Sequence, residues 1–404
     1  MNILFVHQSF PGQYQYLAPA LAARGHKVCA LSFHPSRPID GVETFCYRIE
    51  RGNSPGVHSL AVEFESKVIR GEAVALLAQK MREQGYRPDV ICGHSGWGET
   101  LFLKDVWPDA RLLAYCEFYY RAAGADFNFD PEFPEADFAS ARLGLKNAHL
   151  LLTAETMDAG ISPTRWQQSR FPEWAQKKIA VVHDGVDTDH LVPNAAASVH
   201  GLQGTLGLTP QDEIITYVSR SLEPYRGFHV FMRALPAILQ RRPNAHVLIV
   251  GGEERGYGPP APGGITWKQH MLDEVGASLD MKRVHFLGMV PFHVYQAILQ
   301  ISTVHVYLTY PFLLSWSLLE AMSTECLVVA SATPPVQEVI AHGRNGLLTE
   351  FFDGHGLAET VSEALADRDK FRELRSAARA TVLDHYDLKR VCLPQQVRLV
   401  ESLT

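Results

Sequence analysis

Short apolar runs alternate with longer amphipathic stretches along the whole chain. Ile3-Leu4-Phe5-Val6 reads as a strand buried on both faces. A loop with Pro11-Gly12 follows, then a helix-like stretch 14–23 closed by Gly25, then a second strand over 27–31. Strand, turn, helix and strand within about thirty residues make one βαβ unit. The pattern continues with a helix over 66–84 and strands over 89–92, 111–116, 149–153 and 179–182. A turn-rich stretch, 183–193, ends this series, and the small and polar residues 194–212 read as a linker. The alternation then restarts. Strands are predicted over 214–218, 245–250, 284–287, 304–308 and 327–330. Helices are predicted over 228–240, 292–300, 316–323, 334–342 and 356–365, with long helical stretches over 367–384 and 387–403.

Two successive βαβ series predict an α/β protein of two doubly wound domains facing a cleft. The expected division is 1–193, then 194–384, with a closing helix over 385–404 able to cross back to the first domain. A length of 404 residues agrees with two cores rather than one. The net charge of -7 argues against binding nucleic acid by bulk electrostatics. The six cysteines show no Cys-x-x-Cys spacing, so reduced thiols in a cytosolic compartment are expected. The start, MNILFVHQSFPG, reads as a strand and not a leader. No apolar run is long enough for a membrane span. Cytoplasmic location is therefore expected, and peripheral contact with the inner face of a membrane stays compatible with it. No metal-ligand spacing stands out, so no metal is expected. Oligomeric state is left open.

In open α/β sheets ligands bind beyond the carboxyl ends of the strands, so candidate chemistry is sought there. The segment Ser219-Arg220-Ser221-Leu222-Glu223-Pro224-Tyr225-Arg226-Gly227 follows one strand and precedes a helix. Two permanent cations near a helix start suit a diphosphate, although two surface arginines around a turn would read the same way. The segment Thr309 to Met322 follows another strand. Ser315, Trp316 and Ser317 stand where the helix begins, and Glu320 one turn later offers a carboxylate to a ribose diol. In the first half, Gly12 lies in the loop after the first strand. His94, within Gly93-His94-Ser95-Gly96-Trp97-Gly98-Glu99, ends another, and Glu117 follows the strand 111–116. A satisfied core histidine and a simple turn are the plain alternatives for His94 and Gly12. The loop 255–264, RGYGPPAPGG, reads either as a lid or as an inert insertion.

Together these segments resemble the donor site of the family 4 retaining glycosyltransferases, which have the GT-B fold. Ser219, Arg220 and Arg226 stand at the glycine, arginine and lysine of that family's Gly-Arg-x5-Lys-Gly motif. Glu320-Ala321-Met322 matches the end of its Glu-x7-Glu motif. Val284-His285-Phe286-Leu287-Gly288 resembles its Val-x-Phe-Leu-Gly strand and turn, which holds the nucleotide base against backbone near Met289. His183 to Asp187 resembles its Asn-Gly-Val-Asp turn, and Asn345-Gly346 the turn after its late glutamate, here Glu338. The departures are specific. Phe312 stands where the first glutamate of Glu-x7-Glu contacts the donor sugar, and Glu117 stands near the family's active-site histidine.

The resemblance implies a retaining, metal-independent glycosyltransferase with no cofactor. Its donor would be a nucleotide diphosphate sugar, with UDP favoured as the family's commonest, and its acceptor an unidentified hydroxyl. Glycan or glycoconjugate biosynthesis is the expected setting. Arg220, Arg226, Glu117 and His94 would serve catalysis. Ser219, Met289, Phe312, Ser315, Trp316, Ser317, Glu320 and Gly12 would bind the donor. The alternatives are a sugar-nucleotide 2-epimerase of GT-B fold and a non-catalytic sugar-nucleotide or glycan binding protein. Phe312 is the main support of the last.

Overall fold

The computed structural model describes every residue except Ser36, Asp137 and 201–206, so part of the expected linker lies outside the described residues. The chain divides into two compact units, Met1–Gly185 with Lys389–Thr404, and Val186–Leu388. The expected boundary at 193 therefore falls inside the second unit, and the returning segment begins at Lys389 rather than 385.

The first unit carries strands β1 Asn2–Val6, β2 Lys27–Ser32, β3 Val42–Cys46, β4 Val90–His94, β5 Arg111–Tyr115, β6 Ala159–Ser162 and β7 Ile179–Val181. They form one parallel sheet in the order β3-β2-β1-β4-β5-β6-β7. Its central strands are buried on both faces, as continuous apolar runs such as Ile3–Val6 require. Apolar side chains cover it on one side from the helix Val62–Glu83 and on the other from the helix Leu17–Ala23. The helix Leu393–Glu401 joins the second face through Val397 and Val400, and Glu401 pairs with Arg24 and His26.

The run 149–153 is helical, not a strand. It lies in the helix Ala148–Thr156, with His149, Leu150, Thr153 and Ala154 inward and Leu152 51% exposed. A short apolar run without polar alternation cannot be assigned from periodicity, and here spacing of three and four residues decides which side chains turn inward. Strands β3 and β6 are additions to the expected set.

The second unit carries β8 Ile214–Ser221, β9 His246–Gly252, β10 Val284–Gly288, β11 Val304–Tyr307, β12 Leu327–Ser331 and β13 Leu347–Thr349. These form a second parallel sheet in the order β10-β9-β8-β11-β12-β13. The described parts of 194–212 are not a solvated linker. Val199 and Leu208 pair in an antiparallel bridge, and both pack with Ala197 and Ile214 in this unit's core. The predicted helix 334–342 shrinks to Pro334–Gln337. Among the described residues no helix is long and apolar enough to cross a membrane.

Candidate functional site

Each sheet order reverses direction once, between β1 and β4 in the first unit and between β8 and β11 in the second. At such a switch point the loops leaving the two strands diverge and open a crevice at their carboxyl ends. Gly12, Arg226, Phe312 and Ser315 lie in connections that leave the strands flanking these points, and Ser219, Arg220 and His94 lie at the ends of such strands. Glu117 follows a strand one place further out, and Met289 a strand two places further out.

In the second unit β8 runs to Ser221, so Ser219 and Arg220 belong to its last turn of strand. The ladder with β9 is irregular between Val218 and Ser221. Ser219 is buried and donates to the Ser221 carbonyl at 2.9 Å, while Arg220 is exposed. Gly227 has φ +66°, and a Cβ there would lie 2.3 Å from Leu308 Cβ. Glycine is what lets the helix Phe228–Arg241 start against the end of β11. Arg226 Nη1 donates to Thr309 Oγ1 at 2.9 Å and to the Leu313 carbonyl at 2.7 Å. One side of its guanidinium is thereby spent on the loop after β11.

The loop 255–264 folds onto these arginines. Glu223 Oε2 accepts the Gly258 N–H at 2.8 Å, and Trp267 Nε1 donates to the Pro259 carbonyl at 3.1 Å. So anchored, the loop sets the Tyr257 ring 4.9 Å from the Arg220 guanidinium carbon and 5.8 Å from that of Arg226. Phe312 is 2% exposed and meets Tyr257 at 4.9 Å and Tyr225 at 5.3 Å between ring centroids. An aromatic cluster therefore occupies the place of the family's first carboxylate.

Ser315 caps the helix Trp316–Ser323 by position, without a side-chain cap bond. Its N–H donates to the Tyr307 hydroxyl at 2.7 Å, and its Oγ lies 3.2 Å from that of Ser317. Amides of a first helical turn have no intrahelical acceptor and suit an anion. Glu320 accepts from the Tyr295 hydroxyl, and burial pushes its carboxyl above the usual range. Met289 follows β10, 67% exposed, and approaches the end of β9 at Gly252.

In the first unit the site is a cluster of rings and amides. His94 ends β4, fully buried, with Trp97 stacked on it at 3.9 Å and the Tyr115 ring at 5.1 Å. Burial holds its imidazole well below the usual range. Glu117 Oε2 lies 3.7 Å from His94 Nε2, and Gln13 Nε2 donates to Glu117 Oε1 at 3.5 Å. Gly12 has φ +48°, and a Cβ there would come within 2.4 Å of the His7 ring. The glycine seats that histidine.

Two Rossmann-like units, one with paired arginines and a helix start at its switch point, define a nucleotide-binding α/β architecture. A family model described as glycosyl transferase family 4 group matches residues 24–191, and one described as glycosyl transferases group 1 matches 212–367. The chain belongs to the family 4 glycosyltransferases. It is 28% identical over 300 residues to a D-inositol 3-phosphate glycosyltransferase of Corynebacterium urealyticum, covering 72% of this chain and 66% of that protein. The chain thus spans slightly less than two thirds of that relative, and 62% of the Corynebacterium glutamicum protein of the same name.

Sucrose-phosphate synthase from Thermosynechococcus elongatus superposes with a TM-score of 0.75 at 19% identity, over 100% of this chain and 99% of that one. An Anabaena protein solved in complex with UDP gives 0.65 at 19% identity, over 100% of both chains. These likenesses establish the GT-B fold.

Four residues of these clusters are not among the candidates drawn from the sequence. Tyr295 reaches Glu320 from another helix, Thr309 reaches Arg226 from the far side of the switch point, and Gln13, bonded to His7, meets Glu117 across about a hundred positions. Strand-end location alone marks His7 and Thr309. Nothing local marks Tyr295 or Gln13.

Proposed function

We propose that this chain is a retaining glycosyltransferase that moves a sugar from a nucleotide diphosphate sugar to an acceptor hydroxyl, in glycan or glycoconjugate biosynthesis. The observation that carries this is the convergence of Arg220, Arg226 and the helix start at 315–317 on one switch point. UDP is the favoured nucleotide, a choice supported by the fold shared with the Anabaena protein solved with UDP.

The costly event is departure of the nucleotide diphosphate. Arg220 and Arg226 would stabilise the charge growing on its oxygens, which lets the transfer run without a metal ion. The bond from the anomeric carbon to the diphosphate breaks, and a bond to the acceptor oxygen forms on the face just vacated. The acceptor proton passes to a phosphate oxygen of the leaving group, so no protein nucleophile is required. Glu320 would accept from the ribose diol and Met289 would lie against the base. Ser219, Ser315, Trp316 and Ser317 would line the diphosphate and sugar. Glu117 and His94 would face the acceptor.

The test is release of nucleotide diphosphate from a panel of UDP-sugars, with and without candidate acceptors and with chelator present. Product configuration is then read by proton NMR. Release that depends on acceptor and persists in chelator, giving a product with the donor's anomeric configuration, supports the proposal. Phe312 favours a second reading, a sugar-nucleotide binding protein without turnover. Tight nucleotide binding with no donor consumed would establish that reading instead.

A further inference from the structure

The loops leaving β1 and β4 hold two imidazoles in defined tautomers. The Ser9 N–H donates to His7 Nδ1 at 3.0 Å, and the Gly96 N–H donates to His94 Nδ1 at 3.0 Å. A neutral ring that accepts at Nδ1 carries its proton at Nε2. Both rings are neutral near pH 7, because burial lowers His7 to about 4 and His94 well below its usual value.

His7 Nε2–H therefore donates to Gln13 Oε1 at 2.9 Å. That bond settles the amide orientation, since an amide offers an oxygen on one side and N–H groups on the other. The Gln13 Nε2–H then faces Glu117 Oε1 at 3.5 Å, while His94 Nε2–H faces Glu117 Oε2 at 3.7 Å. Gln13 thus supplies a hydrogen bond to one oxygen, and His94 Nε2 stands near the other at a distance longer than a hydrogen bond. The frame around them is tight. Trp97 packs against His94 at 3.9 Å and edge-on to His7 at 4.9 Å, and Gly12 leaves no room for a Cβ beside His7. The Gln167 amide pins the Glu117 carbonyl at 2.7 Å. The Glu117 side chain is 29% exposed beside the fully buried His94, and Gln13 and Trp97 are half-buried. Contacts of this length tighten when a substrate completes the site.

We propose that His7 and Gln13 are positioning residues for Glu117, a relay that holds its carboxylate in the orientation that receives the acceptor hydroxyl. This rests on the reading of Glu117 as the acceptor-facing carboxylate. Neither residue touches the reacting atoms. Their effect passes through the carboxylate alone.

Two measurements on the full chain test it. The first needs no turnover. Long-range proton–nitrogen spectra of the histidine rings should show His7 and His94 as Nε2–H tautomers, and Gln13→Met should shift the His7 Nε2 signal while leaving that of His94 in place. A His7 Nδ1–H tautomer, or a His7 signal unmoved by Gln13→Met, overturns the relay. The second is kinetic. Gln13→Met should lower kcat for transfer about tenfold with donor KM within about twofold, the scale of a misplaced reacting group. In a Glu117→Gln background the same change should have no further effect. An unchanged kcat, or an equal loss in both backgrounds, overturns the positioning role. Gln13→Ala serves as the second variant should the methionine perturb folding. A wild-type chain that consumes no donor would instead sink the glycosyltransferase reading, and the tautomer result would still decide the relay.

Discussion

The Tyr295 hydroxyl donates to Oε2 of Glu320, so one oxygen of this carboxylate is engaged before any ligand arrives. The remaining oxygen is what a ribose diol would meet. Burial already pushes the Glu320 carboxyl upward, and the tyrosine hydrogen bond opposes that push. Removing the hydroxyl leaves a buried acceptor short of a partner. Tyr295→Phe should weaken UDP binding about fivefold, corresponding to about 1 kcal/mol for one hydrogen bond. Titration calorimetry with UDP measures it. Equal affinity in the two proteins would remove Tyr295 from the donor site.

Arg220 and Arg226 should separate in stability while agreeing in activity. Arg226 holds Thr309 and the Leu313 carbonyl, whereas Arg220 is exposed and lies over the Tyr257 ring. Arg226→Ala should cost about 2 kcal/mol of stability, because buried acceptors lose their donor, and Arg220→Ala close to none. Each should lower kcat by about 10² to 10³, as expected when a group stabilising leaving-group charge is removed. Thermal unfolding read beside turnover separates the two effects. Wild-type kcat in Arg220→Ala contradicts the charge-stabilising role.

Gly227 and Gly264 share a left-handed backbone but not a neighbourhood. A Cβ at Gly227 would lie 2.3 Å from Leu308, while at Gly264 nothing lies within 4 Å. Gly264→Ala should cost about 1 kcal/mol from backbone strain, and Gly227→Ala at least about twice that. Melting temperatures of the two variants decide the point, and equal shifts would show that the helix start at Phe228 tolerates displacement.

Stability should fall as the solution is acidified. His7, His149 and His183 are lowered to about 4 and His305 to about 3, all chiefly by burial. A depressed folded-state value means the unfolded chain binds protons first, below about 6.5. The contribution of each ring is whole above that pH and is lost progressively down to its folded value near 4 or 3. At pH 5 each such ring should have given up on the order of 2 kcal/mol relative to pH 7. Urea midpoints at pH 7 and pH 5 test this. A midpoint at pH 5 equal to or above that at pH 7 would show the rings reach solvent.

Much of the proposed donor site lies within local pattern. The Arg220 and Arg226 spacing, the helix start at 315–317 and Glu320 each lie within one short segment that follows a strand. The places where structure departs from pattern share a cause. The run 149–153 is apolar whichever structure it adopts, and Val199 with Leu208 look like linker residues until they pair. The edge strand β3 over Val42–Cys46 is half-buried and alternates too weakly for its pattern to mark it.

By itself the sequence determined the two βαβ series, and with them the doubly wound class, because an apolar run of this length buries only between two layers. It also determined which residues follow strands. Tertiary structure alone decided their partners. Tyr295 meets Glu320, Tyr257 covers two arginines, and His7 reaches Glu117 through Gln13. Each of these pairs joins segments tens of residues apart or more. The order of strands in the sheet brings them together, and hydrogen-bond directions within one loop cannot encode that order.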